Sequence, residues 1–400
     1  MKITDVTVTL FEWESKTATN VMHIDRKPGD KHDQGLVTIS TDQGIQGHAF
    51  LGKAIDPASS DAAGLIRMLK PVLMGKNPLH REALYAALWR RHPLSTIRAV
   101  GALDVALWDL AGKAANLPLY QLLGASRDKI QAYASSDHLP SPQAYAEEAM
   151  SFKERNWPAY KLHPPSQWQK DIKACEAVRK AVGDDYLLML DSTWIYNFEE
   201  AVKVGLAIQE MGYYWYEDPL GANDIYNYQK LKEKLTIPIM ATERPAHGFD
   251  SYATWVTSKA TDFLRGDVAL KGGITSLVKT AHLAEAFGMN YEVHTGGNSM
   301  NNLAQIHVAC AIRNTTFHEV LLPAQVQIYG LLNEPEVDKD GYIHPPSGPG
   351  ILPMTDSAGG AAMETAGAMD ESKSAASAPR ANRTIICELP ERYRCEVTDR

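Results

Sequence analysis

The chain has 400 residues, of which 44% are hydrophobic, and a formal net charge of −8 at pH 7. This length exceeds what one core usually fills, the apolar share excludes a disordered chain, and the acidic balance argues against nucleic acid or an anionic membrane as a partner. No apolar run reaches the roughly 18 residues of a membrane span and the N-terminus lacks a secretory pattern, so we expect a cytoplasmic protein.

Residues 1–125 predict an α+β domain. Two alternating segments, residues 3–10 and 35–40, are typical of half-buried strands in a small antiparallel sheet. Helical periodicity follows in three segments, residues 62–74, 81–91 and 97–114.

A long segment without apolar periodicity, residues 13–34, lies between the two predicted strands. A loop of this length in a compact domain is usually functional or disordered. A lid that brings His23 to a substrate and a plain solvated loop are both open interpretations.

From about residue 126 onward, short apolar runs end in ionisable side chains at a nearly constant spacing. The spacing is 24 to 28 residues along the series His163, Asp191, Glu217, Glu243, Asp267, His294 and Glu319. One strand, one turn, one helix and a return loop need about this many residues. We therefore predict an α/β protein whose residues 126–320 form a TIM-type barrel of about eight parallel strands, with these side chains at one mouth.

The C-terminal part differs in composition. Residues 321–355 are rich in proline and glycine, which predicts an irregular segment that returns to the front domain. Residues 356–400 begin with a tract of small residues and are expected to be disordered or loosely helical.

Three carboxylates, Asp191, Glu217 and Glu243, end successive predicted strands. Like charges at one strand spacing raise each other's pKa unless a cation neutralises them. Oxygen ligands suit a hard divalent ion, so the sequence predicts one Mg²⁺ per active site. The alternative, that each carboxylate caps a helix or pairs with an arginine, fits a single carboxylate better than three in succession.

Lys161 and His163 stand two residues apart on a predicted strand, which places both side chains on the inner face. The lysine could hold a substrate carboxylate. A buried pair between Lys161 and Asp191, and packing of His163 beside the following prolines, are the structural alternatives.

Asp267 and His294 end consecutive predicted strands, so the carboxylate can orient the imidazole and make it a base. Glu319, on the next strand, would serve as an acid or hydrogen-bond donor if neighbouring carboxylates raise its pKa; a helix cap or a salt bridge is its alternative. Together these groups suit removal of the proton α to a carboxylate, because a metal beside a cation stabilises the resulting enediolate.

The chain resembles the enolase superfamily in its mandelate racemase branch over residues 1–355. The motifs that carry the resemblance are Lys161-Leu-His163, Leu190-Asp-Ser-Thr193, Tyr216-Glu-Asp-Pro219, Ala241-Thr-Glu243, Gly266-Asp267, His294-Thr-Gly-Gly-Asn298 and Glu319. The resemblance implies a modified barrel under an N-terminal capping domain, a small carboxylate substrate and a homo-oligomer. Substrate contacts would come from His23, Arg244 or Asn298.

His163 stands where family members carry a second lysine. A racemase needs a base on each face of the α-carbon, whereas a dehydratase needs one base and an acid for the β-hydroxyl. We therefore expect dehydration of an aldonic or aldaric acid to a 2-keto-3-deoxy acid. Racemisation or epimerisation of a 2-hydroxy acid is the alternative, and a non-catalytic barrel a remote one, since the ligands and the dyad are all present.

Overall fold

The computed structural model describes residues 1–15, 18–19, 27–53, 56–244, 248–296, 298–327, 331 and 334–351. The predicted substrate contact His23 and the predicted disordered residues 356–400 lie outside these ranges.

The front domain begins with an antiparallel sheet of three strands in sequential order, β1 (Ile3–Glu14), β2 (Lys31–Thr41) and β3 (Gln46–Leu51). The first two strands are longer than predicted, because part of the expected 13–34 loop continues their pairing up to Glu14 opposite Lys31. Side chains of the two strands contact each other across this extension, where Lys31 Nζ lies 3.3 Å from Glu12 Oε2 as an ion pair. Such cross-strand pairs stabilise an antiparallel ladder.

The helices of the front domain follow the sheet. Helix α1 (Ala58–Gly64) continues through a π-helical turn (Leu65–Leu69) into α2 (Lys70–Leu73), and α3 (Arg81–Trp89), α4 (Ile97–Ala115) and α5 (Leu119–Leu122) come next. Helix α4 starts where the Thr96 hydroxyl accepts a hydrogen bond from Ala99 N and ends at Asn116 in the left-handed conformation. It is buried along most of its length because it lies between the front sheet and the barrel.

The second domain alternates strands and helices. Its parallel strands are β4 (Ile130–Ser135), β5 (Ala159–Leu162), β6 (Leu187–Asp191), β7 (Trp215–Glu217), β8 (Ile239–Ala241), β9 (Phe263–Gly266), β10 (Asn290–Val293) and β11 (Phe317–Leu321). The connecting helices are α6 (Pro142–Glu154), α7 (Trp168–Val182), α8 (Phe198–Glu210), α9 (Ile225–Lys232), α10 (Tyr252–Thr257), α11 (Ile274–Ala286) and α12 (Ser299–Ala311). None of the helices in the described ranges is long and apolar enough to cross a membrane.

The eight strands run in the order β10-β9-β8-β7-β6-β5-β4-β11, which is a nearly closed barrel. Main-chain pairing is interrupted between β10 and β11. There the Glu292 carboxylate accepts hydrogen bonds from Thr316 N and Phe317 N. The predicted fold class, a modified TIM barrel with an N-terminal α+β domain, is confirmed.

An apolar layer fills the lower barrel. It consists of Tyr133, Ala159, Met189, Trp215, Met240 and Phe317, all buried. Several of these residues lie two positions before a charged residue on the same strand, as Met189 does before Asp191. Because strand side chains alternate between faces, each such pair points inward, the apolar member below and the charged member above. The charged groups therefore lie directly above an apolar layer, where the low dielectric constant makes electrostatic interactions strong.

The C-terminal segment runs from the barrel back to the front domain. Its strand β12 (Tyr342–Ile343) pairs antiparallel with β4. Further along, Gly350 forms main-chain bonds with Leu117 and Leu119 at the end of α4 and the start of α5. The Asp109 carboxylate in α4 accepts a hydrogen bond from Ile351 N at 2.9 Å.

His307 joins this segment to the barrel, and we predict that it makes stability depend on pH. Its Nδ1 accepts from Tyr120 N at 3.2 Å and its Nε2 donates to Ile351 O at 3.1 Å, so the ring is neutral. Burial lowers its pKa to about 4. A lowered folded-state pKa contributes stability that is complete above pH ~6.5 and is lost as the pH falls through about 4, which amounts to about 3 kcal/mol.

Urea unfolding of the wild type and of His307→Gln between pH 7 and 4 measures this contribution. The variant should lose less stability over that range, because glutamine can also donate and accept but does not titrate. Identical pH slopes for the two proteins would contradict the assignment.

Candidate active site

The predicted site residues are gathered at the carboxyl end of the barrel strands. Lys161 and Glu319 lie within β5 and β11, and Asp191 and Glu217 are the last residues of β6 and β7. Glu243, Asp267 and His294 follow the ends of β8, β9 and β10. All seven side chains are buried, although His294 keeps 8% of its surface exposed.

Three of the acidic residues at this mouth form a cluster that could hold a metal ion. The cluster consists of Glu217, Asp218 and Glu243, each of which contributes one carboxylate oxygen that lies within 4.8 Å of the other two. Two of these residues were predicted as ligands from the sequence. Asp218 was not, although it directly follows Glu217 and its position after a strand end was the available signal.

Asp191, the third predicted ligand, lies beside this cluster and has other partners. Its Oδ2 accepts from Lys161 Nζ at 3.1 Å and contacts His163 Nε2 at 3.0 Å, and its Oδ1 accepts from Thr193 N. Burial alone would raise its pKa, but the charges of Lys161 and His163 hold the pKa of Asp191 well below the usual range. Asp191 is therefore an ionised carboxylate within reach of the mouth.

Burial and neighbouring carboxylates disfavour ionisation of two of the three clustered carboxylates. Burial, followed by the charges of Glu243, Asp191 and Glu217, raises the pKa of Asp218 well above its ordinary value. Its Oδ2 has no hydrogen-bond partner among the described residues. Burial also raises the pKa of Glu217, to about 7. Buried oxygen donors that resist ionisation together fit a hard divalent cation such as Mg²⁺.

Lys161 is the cation at the centre of the predicted carboxylates. Its Nζ lies 2.8 Å from Glu217 Oε2, 2.8 Å from Glu319 Oε1 and 3.1 Å from Asp191 Oδ2. These anions outweigh burial and raise the pKa of Lys161 well above its ordinary value. The residue is a fixed ammonium group, and its contacts are those of the predicted alternative, a buried ion pair with Asp191. The contact with a substrate carboxylate stays a prediction.

Arg265 is a second buried cation, and the sequence reasoning missed it. Its Nε contacts Glu217 Oε1, and its guanidinium also donates to Glu319 Oε2 and to Tyr133 Oη. The available signal was its place two residues before Asp267 on one strand, which predicts that it faces inward. Arg265 and Lys161 together hold Glu217 and Glu319 in place.

Glu319 differs from the expectation for a proton donor. Burial would raise its pKa, but Arg265 and Lys161 hold the pKa of Glu319 well below its ordinary value. Its Oε2 also accepts a hydrogen bond from Thr295 N at 3.1 Å. The condition for that role, a pKa raised by neighbouring carboxylates, is not met, because two cations dominate its surroundings. The salt-bridge alternative describes the observed contacts.

His163 occupies the place of the second lysine and has acceptors on both ring nitrogens. Its Nδ1 lies 2.7 Å from Ser136 O, a main-chain carbonyl that can only accept. Its Nε2 faces Asp191 Oδ2. Burial lowers the pKa of His163, but Asp191 outweighs burial and the net pKa is raised. In this arrangement the ring carries both protons and acts as a cation.

Asp267 and His294 form the predicted dyad. Asp267 Oδ2 lies 2.6 Å from His294 Nδ1, and its Oδ1 accepts from Ala269 N and Leu270 N. Burial would raise its pKa, but Lys53 and His294 lower it, so the carboxylate is ionised. The bond at Nδ1 leaves Nε2 of His294 facing the cluster, 3.4 Å from Glu243 Oε2. Lys53, whose Nζ lies 3.8 Å from Asp267 Oδ2, comes from the front domain and was not predicted.

We predict that Gly296→Ala displaces the His294 ring. An added Cβ would lie 2.5 Å from His294 Cε1 and 2.9 Å from Nε2, so the imidazole must move. A misplacement of about 1 Å costs roughly 10²-fold in rate. Gly221→Ala is the control, because a Cβ there meets nothing within 4 Å. Exchange of a substrate α-proton, followed by NMR, measures the effect, and a Gly296→Ala enzyme as fast as the control would refute it.

Of the three predicted substrate contacts, Arg244 and Asn298 lie within the described ranges, and their surroundings differ. The Arg244 guanidinium lies 5.0 Å from the centre of the Trp194 ring. Asn298 is fully buried, donates to Gly52 O at 2.9 Å and accepts from Asn301 N at the start of α12. Asn298 thus ties the barrel to the front domain beside Lys53.

Comparison with known proteins covers nearly the whole described chain. Residues 6–124 match the family model described as mandelate racemase / muconate lactonizing enzyme, N-terminal domain, and residues 144–352 match enolase C-terminal domain-like. An arabinonate dehydratase from Saccharolobus solfataricus is 27% identical over 335 residues, 78% of this chain and 86% of the relative. An N-succinyl-L-Arg/Lys racemase from Bacillus cereus is 27% identical and matches 72% of this chain and 79% of the relative.

Among solved structures, a D-glucarate dehydratase from Agrobacterium tumefaciens complexed with magnesium is similar, with a TM-score of 0.79 and 32% identity. The match covers 88% of this chain and 96% of that one.

Proposed function

This chain belongs to the mandelate racemase / muconate lactonizing enzyme branch of the enolase superfamily, and we propose that it is a Mg²⁺-dependent dehydratase of a sugar acid. The substrate would be an aldonate or an aldarate and the product a 2-keto-3-deoxy acid. The observation that carries the proposal is the single oriented base, His294, facing a buried acidic cluster. The dehydratase relatives support the same reaction class.

Glu217, Asp218 and Glu243 would hold the metal, with Asp191 next to them. A bound Mg²⁺ would stabilise the negative charge that develops on the substrate carboxylate when the α-proton leaves. The chain supplies two further positive groups here, the Lys161 ammonium and the His163 imidazolium. Since Lys161 is held by three carboxylates, it offers charge without needing to move.

His294 would perform both proton transfers. Its Nδ1–H donates a hydrogen bond to Asp267, so Nε2 takes the α-proton as the C–H bond breaks. The β-carbon to oxygen bond then breaks, and the hydroxyl leaves as water with a proton from the same imidazolium. The resulting enol tautomerises to the 2-keto-3-deoxy acid. Glu319, which is held ionised, keeps Lys161 in position rather than donating a proton.

Racemisation or epimerisation of a 2-hydroxy acid is the second candidate. His163, directly after β5, and His294, directly after β10, lie on either side of the strands that carry the acidic cluster, and one relative is a racemase. A racemase would need His163 to accept a proton at Nε2. The contacts of both its nitrogens with acceptors favour dehydration.

A screen of aldonates and aldarates with Mg²⁺ in deuterated water separates the candidates. Formation of a 2-keto-3-deoxy acid supports dehydration, whereas deuterium at an α-carbon of inverted configuration identifies a racemase or an epimerase. Turnover should stop with a chelator and return with added Mg²⁺. Undiminished turnover in metal-stripped protein would contradict the metal assignment.

A further inference from the structure

Thr242, the residue before the candidate ligand Glu243, has a backbone conformation that β-branched residues rarely adopt. Its φ is +88°, in the region that favours glycine. The residue is buried, with 1% of its surface exposed. Such a conformation persists only where the surrounding structure holds it, and it is concentrated at functional sites.

The strands that carry the acidic residues share this feature. Thr193 (φ +48°) and Trp194 (φ +64°) follow β6, Asp218 (φ +42°) follows β7, and Thr242 follows β8. These are four of the nine non-glycine residues with positive φ in the described ranges. Backbone conformations of high energy thus occur where the chain leaves a strand and directs a carboxylate towards the mouth of the barrel.

Between β8 and β9 a side chain forms the last hydrogen bonds across the two strands. At the two neighbouring strand pairs, β6–β7 and β7–β8, main-chain groups form them. Ser192 N donates to Glu217 O between β6 and β7, and Asp218 N donates to Met240 O between β7 and β8. Between β8 and β9 the last main-chain pair in register is Ala241 with Leu264.

Beyond that pair, the Thr242 hydroxyl accepts from Arg265 N at 2.9 Å and donates to Arg265 O at 3.2 Å. The hydroxyl therefore bonds both main-chain groups of the facing residue. The main chain of Thr242 is left to turn out of the sheet towards Glu243.

We propose that Thr242 is a positioning residue for the divalent cation. Its hydroxyl holds the ends of β8 and β9 together while its left-handed backbone directs Glu243 towards the acidic cluster. The residue it holds, Arg265, contacts the Glu217 carboxylate through its guanidinium. One hydroxyl thus connects two candidate ligands that are 26 residues apart in the sequence. This inference rests on the metal site of the proposed function.

Thr261 offers a matched control on the same two strands. It is also a buried threonine, and its hydroxyl oxygen lies 2.8 Å from Ile239 O and from Phe263 O, which share its one donor. These bonds lie where β8 and β9 begin, at the end of the barrel opposite the acidic cluster. Loss of this hydroxyl removes the same kind of bond from the same strand pair without touching the mouth.

The experiment is titration of the full-length chain with MgCl₂ by calorimetry, together with thermal unfolding in the presence of a chelator. Removing a group that orients a metal ligand typically weakens metal affinity 10- to 100-fold. Thr242→Val keeps the branched shape and removes the hydroxyl, so its Kd for Mg²⁺ should rise at least about tenfold. Thr242→Ser keeps the hydroxyl and should bind nearly as the wild type does. Thr261→Val should unfold at a lower temperature and bind Mg²⁺ normally.

A Thr242→Val protein with wild-type affinity overturns the inference, as does a Thr261→Val protein weakened equally. If Thr242→Val does not fold, Thr242→Ala takes its place with the same expectation. A wild-type chain that does not bind Mg²⁺ overturns the metal site and this inference together. Normal wild-type binding with an unaffected Thr242 variant overturns this inference alone.

Discussion

Replacing His294 with asparagine should lower the rate of α-proton removal roughly 10²- to 10⁴-fold, the range for loss of a general base. The asparagine amide can still donate a hydrogen bond towards Asp267, but it offers no basic nitrogen to the mouth. His294 has this role because its Nδ1–H donates to Asp267 Oδ2, 2.6 Å from Nδ1, which leaves Nε2 facing the acidic cluster. The affinity for Mg²⁺ should change little, since the three clustered carboxylates remain.

The measurement is deuterium exchange at the α-carbon of the best substrate from the screen, followed by NMR. His282→Asn is the control, because His282 is an exposed histidine of α11. A His294→Asn enzyme that exchanges the α-proton at the wild-type rate would remove the base from the proposed mechanism. Loss of exchange with retained Mg²⁺ binding would separate the base from the metal site.

Replacing Lys161 with methionine should both destabilise the protein and abolish turnover. Its ammonium lies within 3.1 Å of three buried carboxylates, and methionine leaves those charges uncompensated. Removal of one partner from a buried ion pair typically costs about 3–5 kcal/mol in the free energy of unfolding. Turnover should fall at least roughly 10²-fold, because a fixed positive charge at the reacting carboxylate is lost.

Urea unfolding at pH 7 and turnover under saturating Mg²⁺ test this expectation. Lys279→Met is the control, since Lys279 pairs with Glu82 at 2.6 Å near the surface, where the two side chains are 35% and 73% exposed. An exposed pair contributes about 0–1 kcal/mol. A Lys161→Met protein as stable as the Lys279→Met protein would show that the central cluster does not need this cation.

Much of the fold was predictable because a β/α unit has a nearly constant length. That length placed Lys161, Asp191, Glu217 and Glu319 on inner strand faces near one end of the barrel, where the structure has them. The extension of β1 and β2 into residues 13–34 was not predicted, because it takes in only residues 13–14 and 31–34 and depends on contacts across the two strands, such as Lys31 with Glu12 and Trp13 with His32. Each of these two pieces is too short to show an alternating pattern by itself.

The sequence by itself determined which acids, cations and imidazoles reach the mouth, since strand periodicity sets the direction of each side chain. Only the tertiary structure decided which of them are partners. It placed Asp218 next to Glu217 and Glu243, and paired Asp191 with Lys161 and His163. It also brought Arg265 into contact with Glu217 and Glu319. The reason is physical: ionisation and ligand geometry depend on distances of a few ångströms between strands, and those distances arise only when the barrel closes.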